Sequence, residues 1–346
     1  MFRSGFRWYD TTNRSLEHVM KSESEMTMES GGEPSVTGRA GGTEGLVSQI
    51  IHGSFVDGHG VRTTVFLKGC PLRCVWCCNP EGQKLQPELK FTAANCDGCG
   101  RCLDVCPEGA ITRAGEADEA PVLIDRALCT NCGECIPVCH ADALSCFGVE
   151  MTVEEAFNVL KKDERYYSSS GGGITIGGGE PTFQPDFTHA LMKKCQADYI
   201  HVAIDTCGHT VNELGFRILA EADLLLFDMK GMDATLHKNQ TGVSNDVILS
   251  NLIKLSEMGK PIIIRVPLIP GCNDSKQNVI GTAEFLSKLK SIQRVDVLPY
   301  HKFGMVKYGQ LGSEYGLPDT QPQSDEYIDE ILNIFEGVGL KTQVGG

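Results

Sequence analysis

Positive charge is scarce in this chain: 31 Lys and Arg stand against 45 Asp and Glu, a formal net charge of −14 at pH 7. A surface of that sign repels phosphate backbones and anionic lipid headgroups, which argues against nucleic acid or a membrane surface as partner. Long hydrophobic runs are missing as well. No stretch approaches the roughly 20 apolar residues of a membrane-crossing helix. The first residues have no apolar core of a secretory signal. Arg3, Arg7 and Arg14 hint at a transit peptide, but Asp10 and Glu17 break that pattern. The expected location is cytoplasmic.

What is present begins with cysteine, sixteen of them, and a hydrophobic content of 41% that supports a large α/β core. The cysteines cluster in C-x2-C spacings. With no secretion signal, that points to metal in a reducing compartment and away from disulfides. Residues 1–44 are polar, rich in Ser, Glu and Gly, and without helical or strand period, so a disordered extension is expected there. Met20, Met26 and Met28 are alternative starting points for the chain.

From Val61 the run VRTTVFL reads as a buried strand that ends at a cysteine loop. Residues 84–147 change character to short, loop-rich, cysteine-bearing segments and read as an insert between barrel pieces at 45–83 and 148–346. After it, Thr152 and Glu155 form a capping box ahead of a helical stripe through Val153, Ala156, Phe157 and Leu160. Strand-like runs follow at Ile174–Ile176, Ile200–Ile204, Leu224–Phe227, Ile262–Val266 and Val295–Leu298. Amphipathic stretches at Phe187–Ala197, Val211–Ala222 and Ser275–Leu289 alternate with them. Such alternation predicts parallel strands with right-handed crossovers. Six strands fit either a partial barrel or a doubly wound sheet.

Polar groups follow each strand: GGGEP at 177–181, Asp205 and Thr206, Asp228 and Lys230, Arg265 within the fifth strand, and His301 after the sixth. Ligands of parallel α/β folds collect at the carboxyl ends of strands, where the loops converge. Each group alone has an ordinary explanation as a turn, a cap or a salt bridge. Together they mark one mouth, shared with the cysteine loop.

That loop, GCPLRCVWCCNPEG, spaces Cys70, Cys74 and Cys77 as C-x3-C-x2-C. Structural zinc and closed cubanes want four protein ligands. A cubane on three thiolates leaves one iron open to a small molecule. The chain here resembles the radical S-adenosylmethionine superfamily. The stretch VDGHGVRTTVFLKGCPLRCVWCCNPE, with GGGITIGGGEP, FDMK and LPYHKFG in order behind it, is similar to the activating enzymes of glycyl radical enzymes over about residues 46–346. His59 stands where that family's motif has proline.

The resemblance implies a partial (β/α)6 TIM-like barrel in the α/β class and an oxidoreductase working under anaerobic conditions. It implies reductive cleavage of S-adenosylmethionine and hydrogen abstraction from a backbone glycine of a partner glycyl radical enzyme. It makes Cys70, Cys74 and Cys77 the ligands of the catalytic cluster. Trp76, Cys77 and Cys78 would line the adenine side. Gly179 would receive the methionine amino group through its backbone, with Gly178 and Glu180 shaping the turn. Asp205 and Asp228 would face the ribose or a monovalent cation, with Met229 among the cofactor-binding positions. Lys230, Arg265 and His301 would neutralise the methionine carboxylate or surround the sulfonium.

In the insert, CDGCGRCLDVCP and CTNCGECIPVCH each read C-x2-C-x2-C-x3-C, the spacing of bacterial two-cluster ferredoxins. In that arrangement the fourth cysteine of each run serves the other cluster. The expected sets are Cys96, Cys99, Cys102 and Cys139 for one cubane, and Cys106, Cys129, Cys132 and Cys135 for the second. Pro107 follows the first run as usual, but His140 follows the second. C-x2-C pairs alone would also suit zinc. Three [4Fe-4S] clusters are thus expected, with a flavodoxin or ferredoxin as electron donor. Two other readings compete: radical chemistry on a small molecule, and an electron-transfer ferredoxin fused to an inert barrel. The DG-x-G-x-R and PYH motifs argue against the first, and the open three-cysteine site against the second.

Overall fold

A computed structural model describes residues 42–115 and 120–345. The polar stretch expected at 1–44 lies outside them, apart from its last three residues. The chain enters through β1 (Glu44–Ser54) and returns antiparallel as β2 (Arg62–Leu67). It then leaves for a small module of β3 (Glu88–Phe91), α1 (Arg101–Val105), β4 (Ile111–Arg113), β5 (Val122–Ile124) and β6 (Leu144–Phe147). In this module β3 pairs with β6 and β4 with β5, both antiparallel.

The main sheet resumes with β7 (Val149–Thr152), α2 (Val153–Leu160) and α3 (Glu164–Ser170). Then come β8 (Gly173–Gly178), α4 (Pro185–Ala197), β9 (Val202–Thr206), α5 (Glu213–Glu221), β10 (Leu224–Asp228), α6 (Ala234–Thr241) and α7 (Asp246–Glu257). The chain ends with β11 (Ile262–Leu268), α8 (Lys276–Leu286), β12 (Ile292–Pro299), α9 (Met305–Leu311), α10 (Asp325–Gly337) and β13 (Thr342–Val344). Helix starts follow local chemistry. Thr152 and Glu155 form the expected capping box, and Asn212, Asp233, Ser275 and Ser324 each accept an amide of the first turn that they precede.

The sheet has nine strands in the order β13-β12-β11-β10-β9-β8-β2-β1-β7. β2 and β8 to β13 run parallel, so the six anticipated strands are joined by β13 on one edge and, on the other, by β1, which is antiparallel to both β2 and the edge strand β7. Alternation along each strand decides between the two folds left open by the sequence. Val65, Ile176, Ile204, Leu225, Ile264 and Val297 share a single core with apolar residues of α2, α4, α5, α7, α8 and α10. Ala203, Leu224, Leu226 and Ile263, one residue out of phase, form a separate small cluster on the opposite face. Helices cover one face, as in a barrel wall; a doubly wound sheet needs them on both. The architecture is a partial barrel.

The cysteine module has a small apolar core of Leu89, Cys102, Ile111, Val122, Cys135 and Leu144. So little apolar surface does not hold a module of this size unaided, and metal is the usual supplement. It is fastened to the barrel through Lys68, fully buried at the end of β2. The Lys68 Nζ donates to the Glu81 carbonyl and pairs with the Glu88 carboxylate at 3.0 Å. Burial lowers the Lys68 pKa and Glu88 opposes that drop. Helix α9 packs against both β3 and the short turn Pro80–Gly82 behind the cysteine loop.

Candidate active site and cluster sites

The C-x3-C-x2-C loop is held by main chain, as a loop without secondary structure must be. Cys70 N–H donates to Gln83 O at 3.1 Å; Arg73 and Val75 amides donate to the Thr241 and Gln240 carbonyls at the end of α6, at 2.7 and 3.0 Å. Trp76 is buried with Ile269 and Tyr300, and Cys74 packs on the same group. Burial pushes the Cys74 thiol up to about 11 and the Cys77 thiol higher still. Cys70 is lowered, chiefly by a hydrogen bond with the Cys207 thiol. Thiols so desolvated become thiolates only when a metal takes them. Their spacing and the lack of a fourth cysteine in register fit a site-differentiated cubane. Cys78 is exposed and stands outside that register.

At the same strand ends the glycine run closes the floor. Gly178 has φ +99°, and a Cβ there would meet Leu67 N at 2.6 Å. Gly179 N–H donates to Leu67 O at 2.8 Å. Glu180 is fully buried. Its carboxylate accepts from Thr182 N, Thr182 Oγ1, Thr206 Oγ1 and Cys207 N at 2.8–3.1 Å, pinning the loop after β8 to the loop after β9.

Next to it lies an ionic row. Arg265 NH1 stands 3.2 Å from Asp205 Oδ2 and 4.0 Å from Asp57 Oδ1, and Lys230 Nζ pairs with Asp228 Oδ2 at 2.7 Å. The register explains the convergence, since Asp228 lies opposite Arg265 across β10 and β11. Burial pushes the Asp205 carboxyl up to about 7; Arg265 pulls against it, and Asp228 and Asp57 add to it. Burial works against the Lys230 charge too, but Asp228 and the Cys74 and Cys207 thiols together hold its ammonium well above the ordinary range. The Arg265 contact with Asp205 lacks hydrogen-bond geometry. Its Nε and NH1 are buried donors with no acceptor. Two orphaned guanidinium N–H groups suit a carboxylate brought by a ligand.

Asp57 belongs to this row and was not singled out from the sequence, although the DG-x-G-x-R motif contains it. Its Oδ2 accepts from Ser54 and Thr64 hydroxyls at 2.6 and 2.7 Å, and its carbonyl accepts from Thr175. Buried Arg62 of the same motif donates to Thr175 Oγ1 at 2.7 Å and to the Ile174 carbonyl, which folds the turn back onto the sheet. Two anticipated residues stand apart from the row. Met229 turns its side chain into the main core, leaving only backbone at the mouth. His301 is exposed, stacked on Phe303 with centroids 4.5 Å apart and accepting from the Phe303 amide. Burial still lowers its pKa.

In the insert, Cys106, Cys129, Cys132 and Cys135 line one cavity, and Cys96, Cys99, Cys102 and Cys139 line another. Each cavity thus takes three cysteines from one run and the fourth from the other, the donor set of a two-cluster ferredoxin. His140, where proline is usual, pairs with Asp97 at 2.9 Å, and Asp97 accepts from Cys99 N. It replaces a rigid residue with a tie between the two runs.

The chain is similar to several known proteins. A family model described as the Radical SAM superfamily matches residues 135–285. A 4Fe-4S dicluster domain matches 95–143, and a 4Fe-4S single cluster domain matches 56–106. The trans-4-hydroxy-L-proline dehydratase activating enzyme of Clostridioides difficile is 42% identical over 87% of this chain and 99% of its own length. The choline trimethylamine-lyase activating enzyme of Oleidesulfovibrio alaskensis is 41% identical over 83% of this chain and 93% of its own. A solved domain of pyruvate-formate lyase-activating enzyme from Bacteroides vulgatus is 32% identical, covering 51% of this chain and 100% of that one, at a TM-score of 0.44.

Proposed function

Because this chain belongs to the activating enzymes of glycyl radical enzymes, within the radical S-adenosylmethionine superfamily, we propose a residue-level reading of its centre. The activity itself is that of the family: one electron cleaves S-adenosylmethionine to methionine and a 5′-deoxyadenosyl radical, which takes a hydrogen from a backbone glycine of the partner and leaves as 5′-deoxyadenosine. Cys70, Cys74 and Cys77 would hold the catalytic cluster. Arg265 would meet the methionine carboxylate through Nε and NH1, and the Gly179 carbonyl its ammonium. Asp205 and Asp228 would orient the ribose or a monovalent cation, with Lys230 balancing their charge. Trp76 would wall the adenine side, and His301 would close it from the rim.

The insert at 84–147 would hold two further clusters that pass electrons from a flavodoxin or ferredoxin in the cytoplasm. Among the described residues no helix is long and apolar enough to cross a membrane. The observation that carries this reading is the pair of buried Arg265 donors, Nε and NH1, that make no hydrogen bond although NH1 lies in an ion pair with Asp205, at the mouth that holds the three-cysteine loop. It is tested by anaerobic reconstitution with iron and sulfide. About twelve irons per chain are expected, four for each of three cubanes. The parent should then form 5′-deoxyadenosine with dithionite, and raise a glycyl radical signal on the partner. Zinc in the insert, or saturation near four irons, would overturn the three-cluster assignment.

A further inference from the structure

Arg126 follows β5 in the insert and reaches two places at once. NH1 donates to the Leu89 carbonyl at 2.6 Å, and NH2 to the Gln310 carbonyl at 2.8 Å. Leu89 lines the cavity of Cys106, Cys129, Cys132 and Cys135. Gln310 lies on α9, whose opposite end bears on the catalytic loop: a Cβ on Gly304 would meet the Cys78 Cα at 2.8 Å and the Cys77 carbonyl at 3.2 Å. One guanidinium therefore joins the wall of a cluster cavity to the helix that buttresses the active site.

Its surroundings are built for a cation. Gly312, at φ +66°, ends α9, and a Cβ there would meet Arg126 Nε at 2.8 Å, so the position keeps space for the guanidinium. The Nε itself is buried and has no hydrogen-bond partner. Burial lowers the Arg126 pKa, and Cys129, Glu88 and Cys135 oppose that fall. Two neutral carbonyls do not offset the desolvation of a charge, whereas a cluster with four thiolates does. Each cavity has one lining carboxylate, Glu108 in the first and Asp97 in the second, so the two differ in their cation: near the second, Arg113, which donates to Gly98 O at 3.1 Å, is exposed and therefore screened.

We infer that Arg126 is a positioning residue that makes the centre at Cys106, Cys129, Cys132 and Cys135 the more readily reduced of the two in the insert, while fixing it to the helix behind the catalytic loop. This rests on the two-cluster reading of the insert. Reduction adds one electron, supplied by dithionite, with no proton taken up and no bond made or broken. The extra negative charge lies behind the Leu89 wall that the guanidinium grips, and attraction across that wall favours the reduced form.

The test is a potentiometric titration of the reconstituted full chain, followed by electron paramagnetic resonance, in the parent, Arg126→Gln and Arg126→Lys. The signal lost in Cys132→Ser identifies the centre. Arg126→Gln should retain iron yet raise that centre's oxidised-to-reduced ratio about tenfold at fixed potential, a fall of about 59 mV for one electron. The second insert centre should not move, and Arg126→Lys should return the parent midpoint. A Gln variant that loses iron while the Lys variant keeps both iron and midpoint also supports a role for charge. An unchanged midpoint in Arg126→Gln overturns the inference. So do equal shifts of both insert centres, a Lys variant displaced as far as Gln, or loss of iron in both variants. A parent whose insert holds no iron sinks the two-cluster reading; a loaded parent indifferent to residue 126 sinks only this inference.

Discussion

Asp205 shows how one side chain carries a pH dependence for the whole mouth. Burial, outweighing Arg265, pushes its carboxyl up to about 7 in the fold. The unfolded chain ionises it near about 3.9. The fold therefore favours the protonated form, and the stability this contributes is full below about pH 4 and is lost as pH rises to about 7. The side chain is still 24% exposed, so the parent should lose about 1–2 kcal/mol relative to Asp205→Asn across that window, less than the full shift implies. Urea midpoints of both proteins at several pH values check this; a difference that stays flat with pH removes the assignment. At this scale the cysteines were legible because ligand spacing is written directly in the chain. Asp57 was not, because it reaches Arg265 only when the DGHGVR turn folds back over Thr64 and Thr175. At Met229 strand alternation puts the side chain in the core while Asp228 stands at the mouth, so only its backbone is available there.

Among the elements, the six strands that line the site were readable as short β-branched runs, since strands buried in a parallel sheet show no polar alternation. The edges were not. β1 mixes polar and apolar residues directly after a polar tract, and β7 and β13 have four and three residues. β1 nevertheless matters to packing, because it is paired on both sides. A side chain at Gly45 would overlap the ring of Phe187 on α4, which is itself in the core. Gly45→Val should cost about 1–3 kcal/mol by overpacking, read as a lower urea midpoint with an unchanged slope. An unaltered midpoint would mean that α4 yields freely to β1. The short helix α9 was also hidden in the sequence, since MVKYGQL is too short to show a period. It is nonetheless what links His301's loop, the cysteine loop and the insert.

For the molecule as a whole, the barrel and the insert separate by chemistry while remaining joined by Lys68, Arg126 and α9. Cys74→Ser should abolish 5′-deoxyadenosine formation and leave the two insert centres loaded. Cys132→Ser should leave the barrel centre loaded and cleavage by a strong chemical reductant intact. Iron content with chromatography of 5′-deoxyadenosine distinguishes the two, and near-parental product from Cys74→Ser would refute the catalytic role of that loop. The position of the insert has a further consequence in time. Leu67 of β2 pairs with Gly178 of β8, and the module lies between them in the chain. At about 5–20 residues per second of synthesis, β2 waits roughly five to twenty seconds for its parallel neighbour. Throughout that interval Cys70, Cys74 and Cys77 are on a chain whose barrel cannot yet close, and all eight insert cysteines are added during it. The nascent chain thus exposes all eleven ligand thiols, catalytic loop first and insert after it, before β8 arrives and the sheet can shut around them.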